Sequence, residues 1–179
     1  PNSRNILSTF CSPADAIEVL RLKIVDLGKS DSVPTIVKSL KVNRVDMADA
    51  VALNKTIEGV LVKHKGFLIN TSRIDIKSNY LTISFPNNVL KVSDGDSLEI
   101  SLWVYPKPEG IIDKQKLQFR IDRTNHGISA FESGSGFVSD FNEEIYSNIF
   151  QIEVVASKIS FTSIPKRVGV LEPFSVTLS

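Results

Sequence analysis

Apolar and polar residues alternate over residues 97–105, the segment that follows the turn Asp94-Gly95-Asp96. A period of two sustained over nine residues is typical of a β-strand with one buried face. The same alternation recurs along the chain and is interrupted mainly by Gly, Pro and Asn, the residues that favour turns. The pattern therefore predicts an all-β protein, built as an antiparallel β-sandwich.

Several further segments share this alternation and are predicted as strands: 6–10, 17–27, a strand opening at Pro34, 57–63, 67–70, 80–85, 115–122 and 149–155. Residues 57–63 and 67–70 are expected to pair across His64-Lys65-Gly66. Only residues 46–53 have helical spacing, with Asp46 as the N-cap of two turns. The expected fold class is an immunoglobulin-like or jelly-roll-like β-sandwich with one short helix.

The sequence pattern changes near residue 155, which indicates a boundary there. Residues 1–155 are expected to form the β-sandwich. From residue 156 onward, two short strands, 159–161 and 174–178, flank a turn near Gly169. Two strands alone are marginal as a fold, so residues 156–179 are either a linker with the first strands of a following immunoglobulin-like module or the closing strands of the first sandwich.

Composition excludes some classes of function. The 179 residues carry 21 Lys and Arg against 20 Asp and Glu, so the formal net charge is +1 and gives no electrostatic case for nucleic acid. No apolar run approaches the ~20 residues of a membrane-spanning helix. The single cysteine, Cys11, cannot form an internal disulfide and is expected to be a small buried side chain. The opening Pro1-Asn2-Ser3 lacks an initiator Met and a signal peptide, as expected for a piece of a longer protein.

No catalytic motif is present in the sequence: there is no phosphate-binding loop, no zinc-binding His pair and no nucleophile elbow. A triad could be drawn from Ser135, His126 and Asp122. Ser135, however, lies between two glycines in an expected turn, which would not hold a nucleophile in place. The chain is therefore expected to be non-catalytic.

Carboxylates in the predicted loops are the second chemical signal, because oxygen ligands are what Ca²⁺ binds. Asp and Asn are also ordinary turn residues, and the spacing of an EF-hand is absent. We therefore expect no cofactor. If a Ca²⁺ ion binds, Asp26 and Asp31 are the expected ligands, since their loop could curl around one ion.

Two aromatic residues, Trp103 and Tyr105, fall opposite the buried face of the strand at 97–105. Exposed aromatics on one strand face can stack against sugar rings, and Trp is also a frequent interface anchor. The alternative is a second buried face covered by loops. Trp103 and Tyr105 are the predicted ligand-binding residues.

Several segments resemble a module of large secreted proteins of Bacteroidetes: residues 22–28 (LKIVDLG), Asp31, 34–37 (PTIV), 116–122 (KLQFRID) and 134–137 (GSGF). Residues 156–162 (ASKISFT) and 174–177 (FSVT) are similar to the start of the immunoglobulin-like repeat that often follows that module. The resemblance implies an extracellular or cell-surface location. These are scaffold signatures, so they identify no activity.

The expected function is a non-catalytic structural or binding module of a secreted or cell-surface bacterial protein, with a role in adhesion. The alternative is a carbohydrate-binding accessory module of a secreted hydrolase. The expected partners are neighbouring domains of the same chain and a glycan or surface protein. No nucleic acid and no membrane span are expected.

Overall fold

The structure is a computed structural model that describes residues 4–28, 32–156, 161–163 and 177–178. Strands make up 47% of the structure and are arranged in several sheets around an apolar core, which confirms the all-β, sandwich-like fold. The strands are β1 (Arg4–Leu7), β2 (Ile17–Val25), β3 (Thr35–Arg44), β4 (Ile57–His64), β5 (Phe67–Leu68), β6 (Arg73–Ile76), β7 (Tyr80–Ser84), β8 (Lys91–Val92), β9 (Ser97–Pro106), β10 (Lys116–Leu117), β11 (Phe119–Ile121), β12 (Ser129–Ala130), β13 (Ile145–Tyr146), β14 (Phe150–Glu153), β15 (Phe161–Ser163) and β16 (Thr177–Leu178). A 3-10 turn, Pro13–Asp15, and a single helical turn, α1 (Leu53–Thr56), complete the elements.

Two larger sheets form the sandwich. One has the strand order β2-β9-β4-β5, and the other has the order β13-β11-β3-β7-β6, with β8 and β12 also pairing with β3. Alternate residues of β9, Ile100, Leu102 and Val104, are buried in the shared core together with Leu81 and Ile83 of β7. The period-two pattern therefore predicted the buried faces of both strands correctly.

A third sheet contains the one departure from antiparallel pairing among the named strands. Strand β1 pairs with β14 in parallel, with Arg4 opposite Phe150 and Leu7 opposite Glu153, while β10 pairs with the other edge of β14 in antiparallel fashion. The first and last strands of residues 4–153 are therefore direct neighbours.

The segment predicted as one strand over 115–122 is divided at Gln118. Strand β10 before it pairs with β14, whereas β11 after it pairs with β3 and β13. The Gln118 carbonyl accepts a hydrogen bond from Val45 N–H, and its side chain donates to the Ser147 carbonyl. The inward residues Leu117, Phe119 and Ile121 are buried as predicted, because alternation continues across the point where the chain changes sheets.

The helix predicted over residues 46–53 was wrong. Residues 46–52 are not helical, and the only α-helical turn in the described residues begins at Leu53. Asp49 has a φ of +63°, outside the right-handed helical region. The Lys116 N–H donates to the Asp49 carbonyl and the Val51 N–H donates to the Lys116 carbonyl, so this backbone pairs across the molecule instead of coiling on itself.

Other boundaries differ by a few residues. The first strand ends at Leu7 rather than at Phe10, because the Phe10 N–H closes a turn on the Leu7 carbonyl. The hairpin of β4 and β5 pairs as predicted, with His64 opposite Phe67. Cys11 is only partly buried.

In the C-terminal segment, β15 and β16 pair antiparallel as a separate two-stranded sheet. Residues 159–160 and 174–176 of the predicted tail strands lie outside the described residues. The assignment of 156–179 to a following unit or to the first sandwich stays a prediction. Within the residues described, no helix has the length and apolar composition that crossing a membrane requires.

Candidate functional site

The outer face of the β2-β9-β4 sheet carries both predicted ligand-binding aromatics. Trp103 and Tyr105 point away from the core on β9, and both are about half-buried. The ladder places Trp103 between Glu18 of β2 and Leu61 of β4, and it places Tyr105 opposite Gly59. Their neighbours are therefore fixed by the register of three strands.

The indole of Trp103 is held in one orientation by two contacts. Its Nε1–H donates a hydrogen bond of 2.8 Å to Ser101 Oγ, two residues earlier on the same strand face. The Lys63 ammonium of β4 lies 3.8 Å from the ring centroid, in cation–π contact. The orientation of the ring is thus set by these two contacts.

Tyr105 lies over the backbone of its own sheet. A Cβ atom added at Gly59 would come within 2.2 Å of Tyr105 Oη and within 2.5 Å of the ring. Glycine at position 59 is what allows the phenol ring to cover β4, an arrangement in which an aromatic side chain packs on a strand glycine. Tyr105 therefore packs on the sheet.

A depression of about 330 Å³ opens beside Trp103. Its wall is formed by Trp103, Glu18 of β2, Phe150 of β14 and the first residues of β1, Arg4 and Asn5. The Asn5 side-chain amide donates to Glu153 at 2.8 Å, which ties β1 to β14 next to the depression. Aromatic, amide and charged groups thus meet in one shallow site.

Charges on this face are largely paired. Arg21 donates from Nε to Glu18 Oε1 at 2.9 Å and from Nη2 to Glu18 Oε2 at 2.8 Å, and its Nη1 donates to Glu99 at 3.1 Å. The hydrogen bonds to Glu18, together with the negative charges of Glu18 and Glu99, raise the pKa of Arg21 above its usual value. Both carboxylate oxygens of Glu18 are therefore occupied within the sheet.

Asp26, one of the two predicted calcium ligands, is buried at the end of β2. Its Oδ2 accepts a hydrogen bond of 2.8 Å from the Thr35 hydroxyl, and its Oδ1 accepts one of 2.9 Å from the Gly28 N–H. Asp31 lies outside the described residues. Within the part of the chain that the structure describes, no group of three or more His, Cys, Asp or Glu side chains could hold a metal ion.

The environment of Asp26 favours its ionised form. The hydrogen bond from Thr35, and then that from Gly28, lower the pKa of Asp26 below its ordinary value. Because the folded-state pKa is depressed, this carboxylate stabilises the fold fully above the unfolded-state pKa, and the contribution is lost as the pH falls through the folded-state pKa. Through its hydrogen bond from Thr35, Asp26 thus connects the end of β2 to the start of β3.

The three side chains considered for a triad each bond elsewhere. Ser135 Oγ donates to the Val33 carbonyl at 3.0 Å, and Asp122 Oδ2 accepts from the Asn43 amide at 2.8 Å. His126 is buried and stacks on Phe141 with 4.2 Å between the ring centroids. Its Nδ1 accepts from the Ile128 N–H, so Nε2 carries the proton and donates to the Val138 carbonyl. In the described residues no hydrogen bond joins any two of the three.

Sequence reasoning placed Trp103 on the outward face of its strand but gave no sign of the depression beside it. Arg4, Asn5 and Glu18 reach Trp103 only because β1 lies against β14 and β2 lies against β9. Alternation along β2 would place Glu18 on the inward face with Leu20, and a register shift between these two residues turns it outward. No local signal placed the start of β1 at the same site.

Comparison of the chain with family models, with curated proteins and with solved structures found no match in any of the three.

Proposed function

We propose that this chain is a non-catalytic structural and binding module of a secreted or cell-surface bacterial protein, with a role in adhesion. The location is carried by the resemblance of residues 22–28, 34–37 and 116–122 to a module of secreted proteins. The structural role is supported chiefly by one observation, the parallel pairing of β1 with β14.

Parallel pairing of these two strands sets how the unit would carry tension. Because β1 and β14 run in the same direction, the chain enters β1 at one end of the pair and leaves β14 at the other, about 13 Å away for four residues. A pull along the chain would then slide the two strands past each other. Sliding loads all the hydrogen bonds of the ladder together, whereas peeling would break them one at a time.

The β1–β14 pair is also held by further hydrogen bonds at both ends and by packing on its core side. Arg4 N–H donates to the Ile149 carbonyl at 3.0 Å, and Ser8 N–H donates to the Glu153 carbonyl at 2.9 Å, so hydrogen bonds continue past both ends of the ladder. Ile6 and Ile152 are buried on the core side. A spacer or adhesion module that must keep its fold under load would need such a junction.

Single-molecule force spectroscopy on the full 179-residue chain, held between reference domains, tests this proposal. Arg4→Pro removes the N–H that bonds to Ile149, whereas the matched variant Arg4→Ala removes the same side chain and keeps that N–H. We expect R4P to unfold at a lower force than R4A, and R4A to match the parent chain. Equal unfolding forces for the two variants would show that the pair bears no load.

Carbohydrate binding is the second candidate function, and the position of Trp103 favours it. An indole fixed by a hydrogen bond and a cation, beside a depression with amide and charged groups, has the components of a sugar-stacking site. Affinity electrophoresis in gels containing soluble polysaccharides tests this function. We expect retardation that W103A abolishes, and that Tyr146→Ala, which removes an exposed aromatic elsewhere, leaves unchanged. Retardation that survives W103A would exclude this face.

A further inference from the structure

The charged groups around the Trp103 depression are not equivalent. Both carboxylate oxygens of Glu18 accept hydrogen bonds from Arg21, which also bonds to Glu99, so Glu18 is engaged within the sheet. Among the residues that the structure describes, no salt bridge includes Arg4, which is exposed at the rim. The described residues that line the depression therefore include one cation, the guanidinium of Arg4, and it belongs to none of these salt bridges.

The two flanks of the indole also differ. Lys63 approaches Trp103 from β4, on one side of β9. The other residues that line the depression, including Glu18, Arg4 and Asn5, belong to β1, β2, β14 and the residue before β2, on the opposite side. The indole thus forms a wall of the depression, while Lys63 and Ser101 keep it from turning away.

A fixed aromatic ring and a free guanidinium define the chemistry of a fitting ligand. The apolar C–H face of a pyranose ring packs against indole, and a carboxylate takes two parallel hydrogen bonds from a guanidinium. A neutral sugar would leave Arg4 unused, and a simple anion would leave Trp103 unused. A hexuronic acid unit carries both features in one residue.

We propose that the depression formed by Trp103, Arg4, Asn5 and Glu18 binds acidic sugars of the uronate class, with the pyranose ring on Trp103 and the carboxylate on Arg4. This inference rests on the carbohydrate-binding function proposed above and adds the class of ligand. The Asn5 amide, held by Glu153, borders the same space and offers its remaining hydrogen-bonding capacity to ring hydroxyls.

Polygalacturonate and its methyl ester are the probes, because they share one backbone and differ in whether the carboxyl group is an ionised carboxylate or an uncharged methyl ester. Affinity electrophoresis and calorimetry on the full chain would compare both polymers. We expect the parent chain to bind the acid form about tenfold more tightly than the ester, as a charge-assisted bidentate contact allows. Arg4→Gln should reduce acid-form binding to the level of the ester, and W103A should remove both.

The control is Arg73→Gln, which removes an exposed arginine paired with Asp75 at another place on the surface. Equal binding of both polymers, still dependent on Trp103, would overturn the uronate inference and leave carbohydrate binding in place. The uronate inference would also be overturned if the chain bound neither polymer but bound a neutral polysaccharide in a way that W103A abolishes. If R73Q weakened acid-form binding as much as R4Q, the attraction would be general charge, and the proposed contact would be wrong.

Discussion

The two faces of β9 differ in what surrounds their side chains. On the inner face, Ile100, Leu102 and Val104 are buried among apolar side chains of both sheets. On the outer face, Trp103 and Tyr105 are half-buried, and each is fixed by particular partners on β4 or on β9 itself. The inner face requires only apolar residues of suitable volume, whereas the outer face depends on which residue stands opposite which.

This difference separates stability from recognition. Burial of apolar area in the core supplies most of the free energy of folding. Contacts on a half-exposed face each contribute little to that free energy, but they fix the orientation of the groups that a ligand would meet. Substitutions on the inner face should therefore cause the larger losses of stability, while those on the outer face should change binding with smaller losses.

The largest effect is expected at Leu102 of the inner face. Leu102→Ala deletes a nearly fully buried side chain and leaves a cavity, so it should lower the free energy of unfolding by about 3 kcal/mol. Val25→Ala, on the exposed side of the same sheet, should change it by less than about 0.5 kcal/mol. Urea unfolding followed by circular dichroism measures both. A loss at Val25 as large as that at Leu102 would remove the distinction between the faces.

An intermediate effect is expected from Gly59→Ala on the outer face. The new methyl group would overlap the Tyr105 ring, and displacing that ring should lower the free energy of unfolding by about 1–2 kcal/mol. In a Tyr105→Ser background the same change should be neutral or stabilising, since alanine suits a strand better than glycine.

Gly136→Ala serves as the control for Gly59→Ala, because an added Cβ there meets no atom within 4 Å. Urea unfolding of the four Gly59 and Tyr105 combinations and of G136A gives the comparison. If G59A were equally destabilising with and without the tyrosine ring, Tyr105 would not be what occupies the space above Gly59.

The fold could be predicted from the sequence largely where alternation lies within one strand. Residues 97–105 and 80–85 show the period of two, and their inward residues are buried in the structure except Leu98, which is partly buried against the core. The helix at 46–53 was predicted wrongly, because a short apolar stripe does not reveal that Lys116 bonds to the backbone of Asp49 and Val51. Tertiary pairing outweighed a local preference that two helical turns could not sustain.

The candidate site could be predicted only in part. The outward position of Trp103 beside Ser101 followed from alternation, but Lys63 and Glu18 became its neighbours through register and strand order. Arg4 lies 99 positions from Trp103 in the numbering, and its approach depends on the parallel β1–β14 pair. Parallel pairing of terminal strands has no short-range sequence signal, because both partners must first be placed by the rest of the sandwich.

A smaller effect is expected from the contact between Lys63 and Trp103. Lys63→Met keeps the length of the side chain and removes the charge, so it should lower the free energy of unfolding by about 0.5–1 kcal/mol. A double-mutant cycle with Trp103→Leu isolates the pairwise energy. The coupling should fall in the same range. A coupling of zero would mean that Lys63 does not hold the indole in place on the outer face.

The smallest effect, no change, is expected from calcium. Asp26 already accepts hydrogen bonds from Thr35 and Gly28, so millimolar CaCl₂ should leave the thermal midpoint where EDTA leaves it.

Asp26→Asn should destabilise the parent at neutral pH, and the difference should vanish as the pH falls through the depressed pKa of Asp26, because both chains then carry a neutral side chain. Glu109→Gln, an exposed site, is the control for the pH series. A ligand that binds only the folded state raises the thermal midpoint as its concentration increases. A calcium-dependent rise in the parent chain that D26N lacks would therefore show that Asp26 belongs to a metal site.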